Sequence, residues 1–266
     1  MARYLVVDIE TKVDKELVKK IYDTENKMTV DQAYDEARKQ LLERTQSDFF
    51  PVPFHVPISI ATLQAGENYR IQALVGQGVD RFSEEELVRN FWHLFESCQT
   101  LVTFNGRGFD LPVLETRAMK HCLPLPRYFG AAGSNYRGSR YVDALHFDLC
   151  DYLSNFGAVY RRGSLDLLAK VIGLPGKYNM AGGDVEYNFR EGQQKEINQY
   201  CITDVLQTYL LFLRVELLRG RMDLDAFRAA VAAAKEDLLQ RASNAGPENF
   251  LTEFLKRWEA SSGETH

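Results

Sequence analysis

A short, mostly apolar segment at residues 3–9 predicts a buried β-strand, and two acidic residues lie at its end. On a strand, residues two apart point to the same face, so Asp8 and Glu10 present their carboxylates side by side. Two carboxylates this close repel each other and lose hydration on burial, unless a cation lies between them. The segment therefore indicates either a strand end that reaches solvent or part of a metal site.

The pattern of the remaining chain predicts an α/β domain with a mixed sheet, in which three early strands precede an alternation of strands and helices. Residues 11–48 are charged and have a helical pattern, so they are predicted as an insertion of helices after the first strand. Further strands are predicted at 57–64, 69–75 and 100–104. Further helices are predicted behind a capping box at Ser83 and Glu86, and at 111–121, 142–156, 164–172, 193–219, 223–242 and 250–258. Glycine and polar residues predict a mobile loop at 173–192.

The composition excludes several classes of protein. Hydrophobic residues make up 45% of the 266 residues, which is too many for a disordered chain. No apolar run approaches the roughly 18 residues that a membrane-spanning helix needs, so we expect no membrane association. The four cysteines are scattered without a C-x-x-C pair, which argues against a zinc ribbon or a disulfide framework and favours the cytoplasm. A net charge of −5 does not suggest a nucleic-acid binder, but acidic residues can bind phosphate through cations that they hold.

A glycine-rich turn, Asn105-Gly106-Arg107-Gly108-Phe109-Asp110, joins a predicted strand to a predicted helix. Its two glycines permit a sharp turn or a close approach of the backbone. Taken alone, Asp110 lies near the cap of the helix, where an acid contributes about 1 kcal/mol, and Asn105 suits a turn.

The long helix predicted at 193–219 contains Tyr200 and Asp204, which are four residues apart and therefore share one face. Leu206, Leu210 and Leu213 indicate that this helix is largely buried. A buried acid needs a partner or a cation. The alternative is an exposed aspartate beside an exposed tyrosine.

Taken in chain order, these three motifs resemble those of the DEDD superfamily of 3′–5′ exonucleases. Asp8-Ile9-Glu10 matches the D-x-E motif, the turn that ends at Asp110 matches N-x-x-x-F-D, and Tyr200 with Asp204 matches Y-x-x-x-D. The tyrosine is typical of the DEDDy branch. The sequence of residues 103–110 is most similar to the proofreading domains of family B DNA polymerases. The segments at 146–149, 164–168 and 173–177 resemble stand-alone predicted exonucleases that are related to that domain.

The resemblance covers roughly residues 4–218 and implies an RNase H-like fold, a mixed five-stranded β-sheet flanked by helices. We therefore expect an exonuclease domain at 1–220, which includes a helical insertion at about 12–50, and a C-terminal helical extension at 221–266.

The resemblance also implies an enzyme, a 3′–5′ exonuclease that removes nucleoside monophosphates from the 3′ end of single-stranded DNA, and a role in DNA repair. Two Mg²⁺ or Mn²⁺ ions would support the hydrolysis of the phosphodiester. By this resemblance, Asp8 bridges both ions and Asp110 holds the second ion. Glu10 and Asp204 complete the site that activates the water.

Other residues receive roles from the same resemblance. Tyr200 would orient the attacking water, because a free phenol with a pKa near 10 is a weak general base at neutral pH. Phe109 is a candidate for stacking on the last base, or a core aromatic, while Thr11 and Asn105 are candidates for polar contacts to the 3′ nucleotide. Six basic residues could guide the phosphates of the strand or form a solvated face: Arg137, Arg140, Arg161, Arg162, Lys170 and Lys177.

Two alternatives stay open. The first is a 3′–5′ exoribonuclease or a short-oligonucleotide hydrolase, because the ions contact only phosphate and no residue can be assigned to a 2′-hydroxyl; the likeness to proofreading domains favours DNA. The second is a catalytically silent domain that binds nucleic acid or a protein partner. The block at 12–50 or the C-terminal extension could bind such a partner, and the sequence leaves the oligomeric state undecided.

Overall fold

The computed structural model describes residues 2–131, 133, 135–138, 140–159, 164–176, 182–246 and 249–262. These residues form a five-stranded sheet of order β3-β2-β1-β4-β5. The strands are β1 (Ala2–Val13), β2 (His55–Ala65), β3 (Ile71–Gly78), β4 (Cys98–Thr103) and β5 (His146–Asp148). β2 is antiparallel to β1 and β3, whereas β1, β4 and β5 run parallel. The mixed five-stranded α/β sheet predicted from the sequence is therefore confirmed.

Helices cover both faces of this sheet. In chain order they are α1 (Lys15–Tyr22), α2 (Val30–Thr45), α3 (Glu84–Phe95), α4 (Asp110–Lys120), α5 (Leu149–Leu153), α6 (Leu165–Val171), α7 (Val185–Arg190), α8 (Gln194–Leu218), α9 (Leu224–Ala245) and α10 (Phe250–Ser262). Short 3-10 turns occupy Val52–Phe54 and Gly182–Asp184. In the described part of the chain, none of the helices combines the length and the apolar character that crossing a membrane requires.

The central strand β1 divides the core in two. Leu5, Val7 and Ile9 pack with α3 and α4, whereas Val6 packs on the opposite face with α8. This alternation follows from the two-residue period of a strand. Asp8 and Glu10 follow Val6 by two and four residues, so their side chains lie on the same face as Val6 and point toward α8.

The insertion after β1 folds as the two helices that the sequence predicts. The Asp14 side chain accepts from the Leu17 amide and caps α1, and Thr29 forms a capping box with Gln32 at the start of α2. A small core, which includes Val18, Ala37, Leu41 and Phe50, holds the two helices together. The first strand runs on to Val13, so the insertion begins later than residue 12.

Two segments differ from the sequence-based predictions. The prediction of a helix at 142–156 is wrong, because β5 occupies His146–Asp148 and only the five residues of α5 are helical in that range. A strand of three residues is too short for the two-residue alternation of its side chains to be recognised in the sequence. The predicted mobile loop at 173–192 contains the helix α7, while its residues 177–181 lie outside the described residues.

A buried arginine links the helices of one face to the start of β2. Arg117 of α4 is 3% exposed, and its Nε donates to the backbone oxygen of His55 at 2.7 Å. Its Nη1 lies 3.3 Å from Asp14 Oδ2 and 3.6 Å from Glu84 Oε1. The Arg117 guanidinium thus connects α4 to the cap of α1, to the first residue of α3 and to the backbone oxygen of His55.

We predict that Arg117→Met lowers the free energy of unfolding by about 3 kcal/mol, because it leaves carboxylates without their buried partner. Lys120→Ala is the matched control: Lys120 lies on the same helix and pairs with the same Glu84 at 2.8 Å, but it is half-exposed. This control costs less than about 1 kcal/mol. Urea denaturation of both variants measures the difference, and equal losses would contradict a structural role for Arg117.

Candidate active site

Three carboxylates meet beside the central strand. Asp8 and Glu10 of β1 and Asp204 of α8 each offer an oxygen within 4.8 Å of the other two. Glu10 and Asp204 are buried, at 8% and 4% exposure, and Asp8 is partly buried. Carboxylates at this spacing repel one another, and a divalent cation removes that repulsion. Carboxylate oxygens are the donors that Mg²⁺ and Mn²⁺ prefer, so the residues present fit such an ion.

Helix α8 places its two predicted site residues one turn apart against the sheet. Cys201 and Val205 are fully buried beside them and anchor the helix in the core. The Cys201 thiol lies 3.3 Å from the backbone oxygen of Asp8 and 3.7 Å from its Oδ2. Burial and the nearby carboxylates of Asp8 and Glu10 hold the pKa of Cys201 well above its usual value. The group is therefore a neutral thiol that donates toward Asp8.

Tyr200 lies next to the three carboxylates and is 5% exposed. Its ring packs with Ile58, Val185 and Ile197, which come from β2, α7 and α8. Burial, together with the negative charges of Asp204, Glu10 and Asp8, raises the pKa of Tyr200 far above that of a free phenol. The phenol is neutral over the physiological pH range and keeps its proton.

A fourth carboxylate, Asp110, lies beside this cluster. Its Oδ1 accepts from the amide of Ile9, the residue between Asp8 and Glu10, at 3.2 Å. Helix α4 begins at Asp110 itself and Phe109 occupies the cap position, so the sequence-based alternative of an N-cap acid is wrong. Burial, followed by the charges of Asp148 and Asp204, raises the pKa of Asp110 to about 7.

The turn before Asp110 is held by an aspartate that sequence reasoning did not single out. Asp148, at the end of β5, accepts from the amides of Asn105 and Arg107 at 2.9 Å each. Asn105 has a φ of 63°, and a Cβ at Gly106 would lie 2.5 Å from Thr103 Cβ, so the turn requires glycine at that position. The sequence indicates Asp148 only through its place in the segment at 146–149, which resembles predicted exonucleases.

The predicted substrate residues lie at the turn before α4 and along a neighbouring cavity. Asn105 is exposed at the turn. Thr11 hydrogen bonds to His55 Nδ1 at 2.9 Å and lines a cavity of about 390 Å³. Phe109 is partly buried, and its ring centre lies 5.6 Å from that of Phe49 and 5.0 Å from that of His55. Sequence reasoning missed Phe49 and His55, because their contacts with Phe109 and Thr11 are long-range.

Three of the six basic residues proposed to guide the strand are described, and each pairs with an acid. Arg137 lies 3.2 Å from Glu115, Arg140 lies 2.5 Å from Asp151, and Lys170 lies 2.9 Å from Asp166. These pairs favour the alternative of a solvated surface for this group. The remaining three, Arg161, Arg162 and Lys177, lie outside the described residues.

Comparisons with known proteins agree with this geometry. Residues 47–258 match the profile of a family described as a predicted 3′–5′ exonuclease related to the exonuclease domain of PolB. A curated relative, DNA polymerase 1 of Saccharolobus solfataricus, is 28% identical over an alignment of 163 residues, and the match covers 54% of this chain and 18% of that protein. The matched family segment includes Asp110, Tyr200 and Asp204 but begins after Asp8 and Glu10.

A solved structure shares the fold. The family B DNA polymerase of the hyperthermophilic archaeon Pyrobaculum calidifontis superposes with a TM-score of 0.53 at 18% identity, over 92% of this chain and 30% of that chain. The chain thus spans less than a third of the length of either relative. The sheet and its flanking helices have the architecture of a PolB exonuclease-like domain.

We predict that Asp110→Asn stabilises the metal-free protein, and that the gain grows as the pH rises from about 4 to about 7. In this window the unfolded chain releases the Asp110 proton while the folded chain retains it, because the pKa of Asp110 is raised to about 7 on folding. The contribution of Asp110 to the free energy of unfolding of the wild-type protein therefore falls as the pH rises. Above a pH of about 7, the difference in the free energy of unfolding between the two proteins is constant.

Urea unfolding of both proteins in EDTA, across this pH range, measures the difference. A gain that does not change with pH contradicts the raised pKa.

Proposed function

The chain belongs to the family of predicted 3′–5′ exonucleases related to the exonuclease domain of PolB, and we propose that it hydrolyses single-stranded DNA from the 3′ end by a DEDDy mechanism with two divalent cations. The observation that carries this proposal is the buried cluster of Asp8, Glu10 and Asp204. Two of its members come from outside the matched family segment, so the fold supplies them independently of that match.

The donor set favours Mg²⁺ or Mn²⁺ over a softer metal. Asp8, Glu10 and Asp204 would hold the ions, and Asp110 would take part from the start of α4. A nearby sulfur, that of Cys201, faces the backbone oxygen of Asp8 at 3.3 Å. When bound, two such ions activate a water and stabilise the leaving oxygen of a phosphodiester.

The protein groups around the ions position the reacting atoms. A Tyr200 phenol that keeps its proton can donate to, and accept from, a water, so its role is to orient the nucleophile rather than to deprotonate it. The Ile9 amide holds the Asp110 carboxylate at 3.2 Å, next to the strand that carries Asp8 and Glu10. This arrangement fixes the carboxylates before a substrate arrives.

The cavity beside Thr11 would take the 3′ nucleotide. Phe49 is 59% exposed, and with Phe109 it forms an aromatic surface on which a base can stack without regard to sequence. Asn105 would add a polar contact from the turn. DNA is favoured over RNA because of the relation to family B polymerases.

The test is degradation of a 5′-labelled single-stranded DNA oligonucleotide and its RNA copy in EDTA, Mg²⁺ or Mn²⁺. We expect a metal-dependent ladder that shortens from the 3′ end, with DNA degraded faster than RNA. Asp8→Ala and Asp204→Asn each lose activity at least about a hundredfold, because bound cations supply several kcal/mol of transition-state stabilisation. Asp225→Asn, an exposed acid on α9, is the control and keeps full activity.

Cleavage that persists in EDTA, or in the Asp8→Ala protein, contradicts the proposal. If the correctly folded protein cleaves neither strand, the result favours the alternative function of a domain that binds nucleic acid without hydrolysing it.

For Tyr200→Phe we predict a kcat about tenfold to a hundredfold lower, since the nucleophile loses its orientation while the metal site is retained. The ratio of wild-type to variant activity stays constant between pH about 7 and about 9, because a residue that only orients the nucleophile does not have to ionise. Tyr141→Phe is the control, since Tyr141 is 72% exposed and does not line the cavity beside Thr11. A ratio that rises tenfold per pH unit would instead assign Tyr200 the role of a base.

A further inference from the structure

Asp148, the last residue of β5, binds four backbone amides with its two carboxylate oxygens. Oδ1 accepts from the amide of Asn105 at 2.9 Å, and from the amides of Cys150 and Asp151 at 3.0 and 3.2 Å. Oδ2 accepts from the amide of Arg107 at 2.9 Å. One side chain, which is 4% exposed, therefore caps α5 and also holds the turn that leads to α4.

These four hydrogen bonds require a carboxylate at position 148. Each oxygen faces at least one N–H donor, and a carboxylate accepts on both of its oxygens. An asparagine side chain would place its NH2 group against a donor in either of its orientations. In the orientation that keeps the three bonds of Oδ1, the NH2 group faces the Arg107 amide, which then loses this partner.

The hydrogen bonds of the turn continue from these two amides to the start of α4. The backbone oxygen of Asn105 accepts from the Phe109 amide at 3.1 Å, and that of Gly106 accepts from the Leu111 amide at 2.9 Å. Asn105 itself has a φ of 63°, a left-handed conformation that few residues other than glycine adopt. The bond from its amide to Asp148 offsets part of that cost. Loss of the bonds to Asp148 therefore displaces the residues on either side of the first residue of α4.

That first residue, Asp110, meets β1 beyond the point where the sheet is paired on this side. The pairing of β1 with β4 ends at Val6. Further along β1, the amide of Ile9 donates to Asp110 Oδ1 at 3.2 Å. Because Ile9 lies between Asp8 and Glu10, this bond fixes Asp110 relative to the other carboxylates.

We propose that Asp148 is a positioning residue for Asp110, through which the end of β5 sets how tightly the site holds its second cation. Asp148 contacts neither the ions nor the substrate in this scheme. Its effect passes through the amides of Asn105 and Arg107 to the carboxylate that the proposed function places beside that ion, and the inference rests on that function. Hydrogen-bonding partners that orient metal ligands change metal affinity about tenfold to a hundredfold when they are substituted.

Two substitutions separate the bonds to the turn from the cap of α5. Asp148→Asn removes the bond to the Arg107 amide and keeps the other three. Asp148→Ser retains a good helix cap, but its hydroxyl oxygen lies one bond closer to the backbone and cannot hold both amides of the turn. Asp151→Asn is the matched control. It removes a charge from α5, and its carboxylate pairs with arginine side chains, Arg140 at 2.5 Å and Arg107 at 3.8 Å.

The first test needs no metal. Amide hydrogen exchange of the full chain in EDTA, followed by NMR, reports the protection of the Ile9 amide, and the Leu5 amide of the same strand reports any general loss of stability. Relative to Leu5, we expect Ile9 to exchange about tenfold faster in Asp148→Asn, which is the effect of one hydrogen bond to a charged group. Exchange is faster still in Asp148→Ser and unchanged in Asp151→Asn. A purely local role of Asp148 does not produce this result, because it changes only the amides that Asp148 itself binds.

The second test measures metal binding to the same proteins without substrate. Mn²⁺ is titrated into each protein, and the electron paramagnetic resonance signal of the free ion gives the amount that is bound. We expect the more weakly bound ion to bind at least about tenfold more weakly in Asp148→Asn than in the wild-type protein. We expect the affinity of Asp151→Asn to stay within about twofold of the wild type.

The outcomes separate this inference from the proposed function. Unchanged exchange of the Ile9 amide in a folded Asp148 variant overturns the inference, even if the protein degrades DNA; either variant suffices for this test. Faster exchange with an unchanged Mn²⁺ affinity also overturns it, because Asp148 then does not act on the second ion. A wild-type protein that binds no Mn²⁺ and degrades neither DNA nor RNA overturns the proposed function, whereas the exchange of Ile9 still decides whether Asp148 positions Asp110.

Discussion

The repulsion among carboxylates in a buried place is the constraint on which the site depends. β1 is the central strand of the sheet, and its apolar residues are packed on both faces, yet Asp8 and Glu10 project from it toward Asp204. Such a cluster is unfavourable without a compensating cation. The burial that stabilises the fold also raises the pKa of Asp110, and in the proposed function it is the feature that favours divalent ions at the cluster.

Around this cluster, hydrogen bonds set the geometry. The Cys201 thiol faces Asp8, the Ile9 amide binds Asp110, and Asp148 holds the turn that leads to α4. On the other side of β1, the ring of His55 is hydrogen bonded to the hydroxyl of Thr11. The insertion contributes Phe50 to its own small core, and the neighbouring Phe49 covers His55. The helical block after β1 therefore shapes one wall of the cavity in which we place the 3′ nucleotide.

Local patterns in the sequence predicted most of the fold, including β1, the two helices of the insertion, and α8 with Tyr200 and Asp204 on one face. The predictions failed where an element is too short to show a period, as in β5 and α7. They also missed residues whose role is a long-range contact. Asp148 binds an amide 43 positions away, and His55 binds Thr11 across 44 positions. Neither pairing leaves a local signal, because it exists only after the sheet has formed.

The central claim is that Asp8, Glu10 and Asp204 hold the cations that hydrolysis requires. Anomalous diffraction at the manganese edge, from crystals soaked in Mn²⁺ with a phosphorothioate oligonucleotide that resists cleavage, tests it most directly. The account predicts two peaks about 3.5–4 Å apart, one of them in contact with all three carboxylates and the other beside Asp110. The absence of a peak at the cluster while the strand lies in the cavity, or manganese bound only elsewhere, would contradict it.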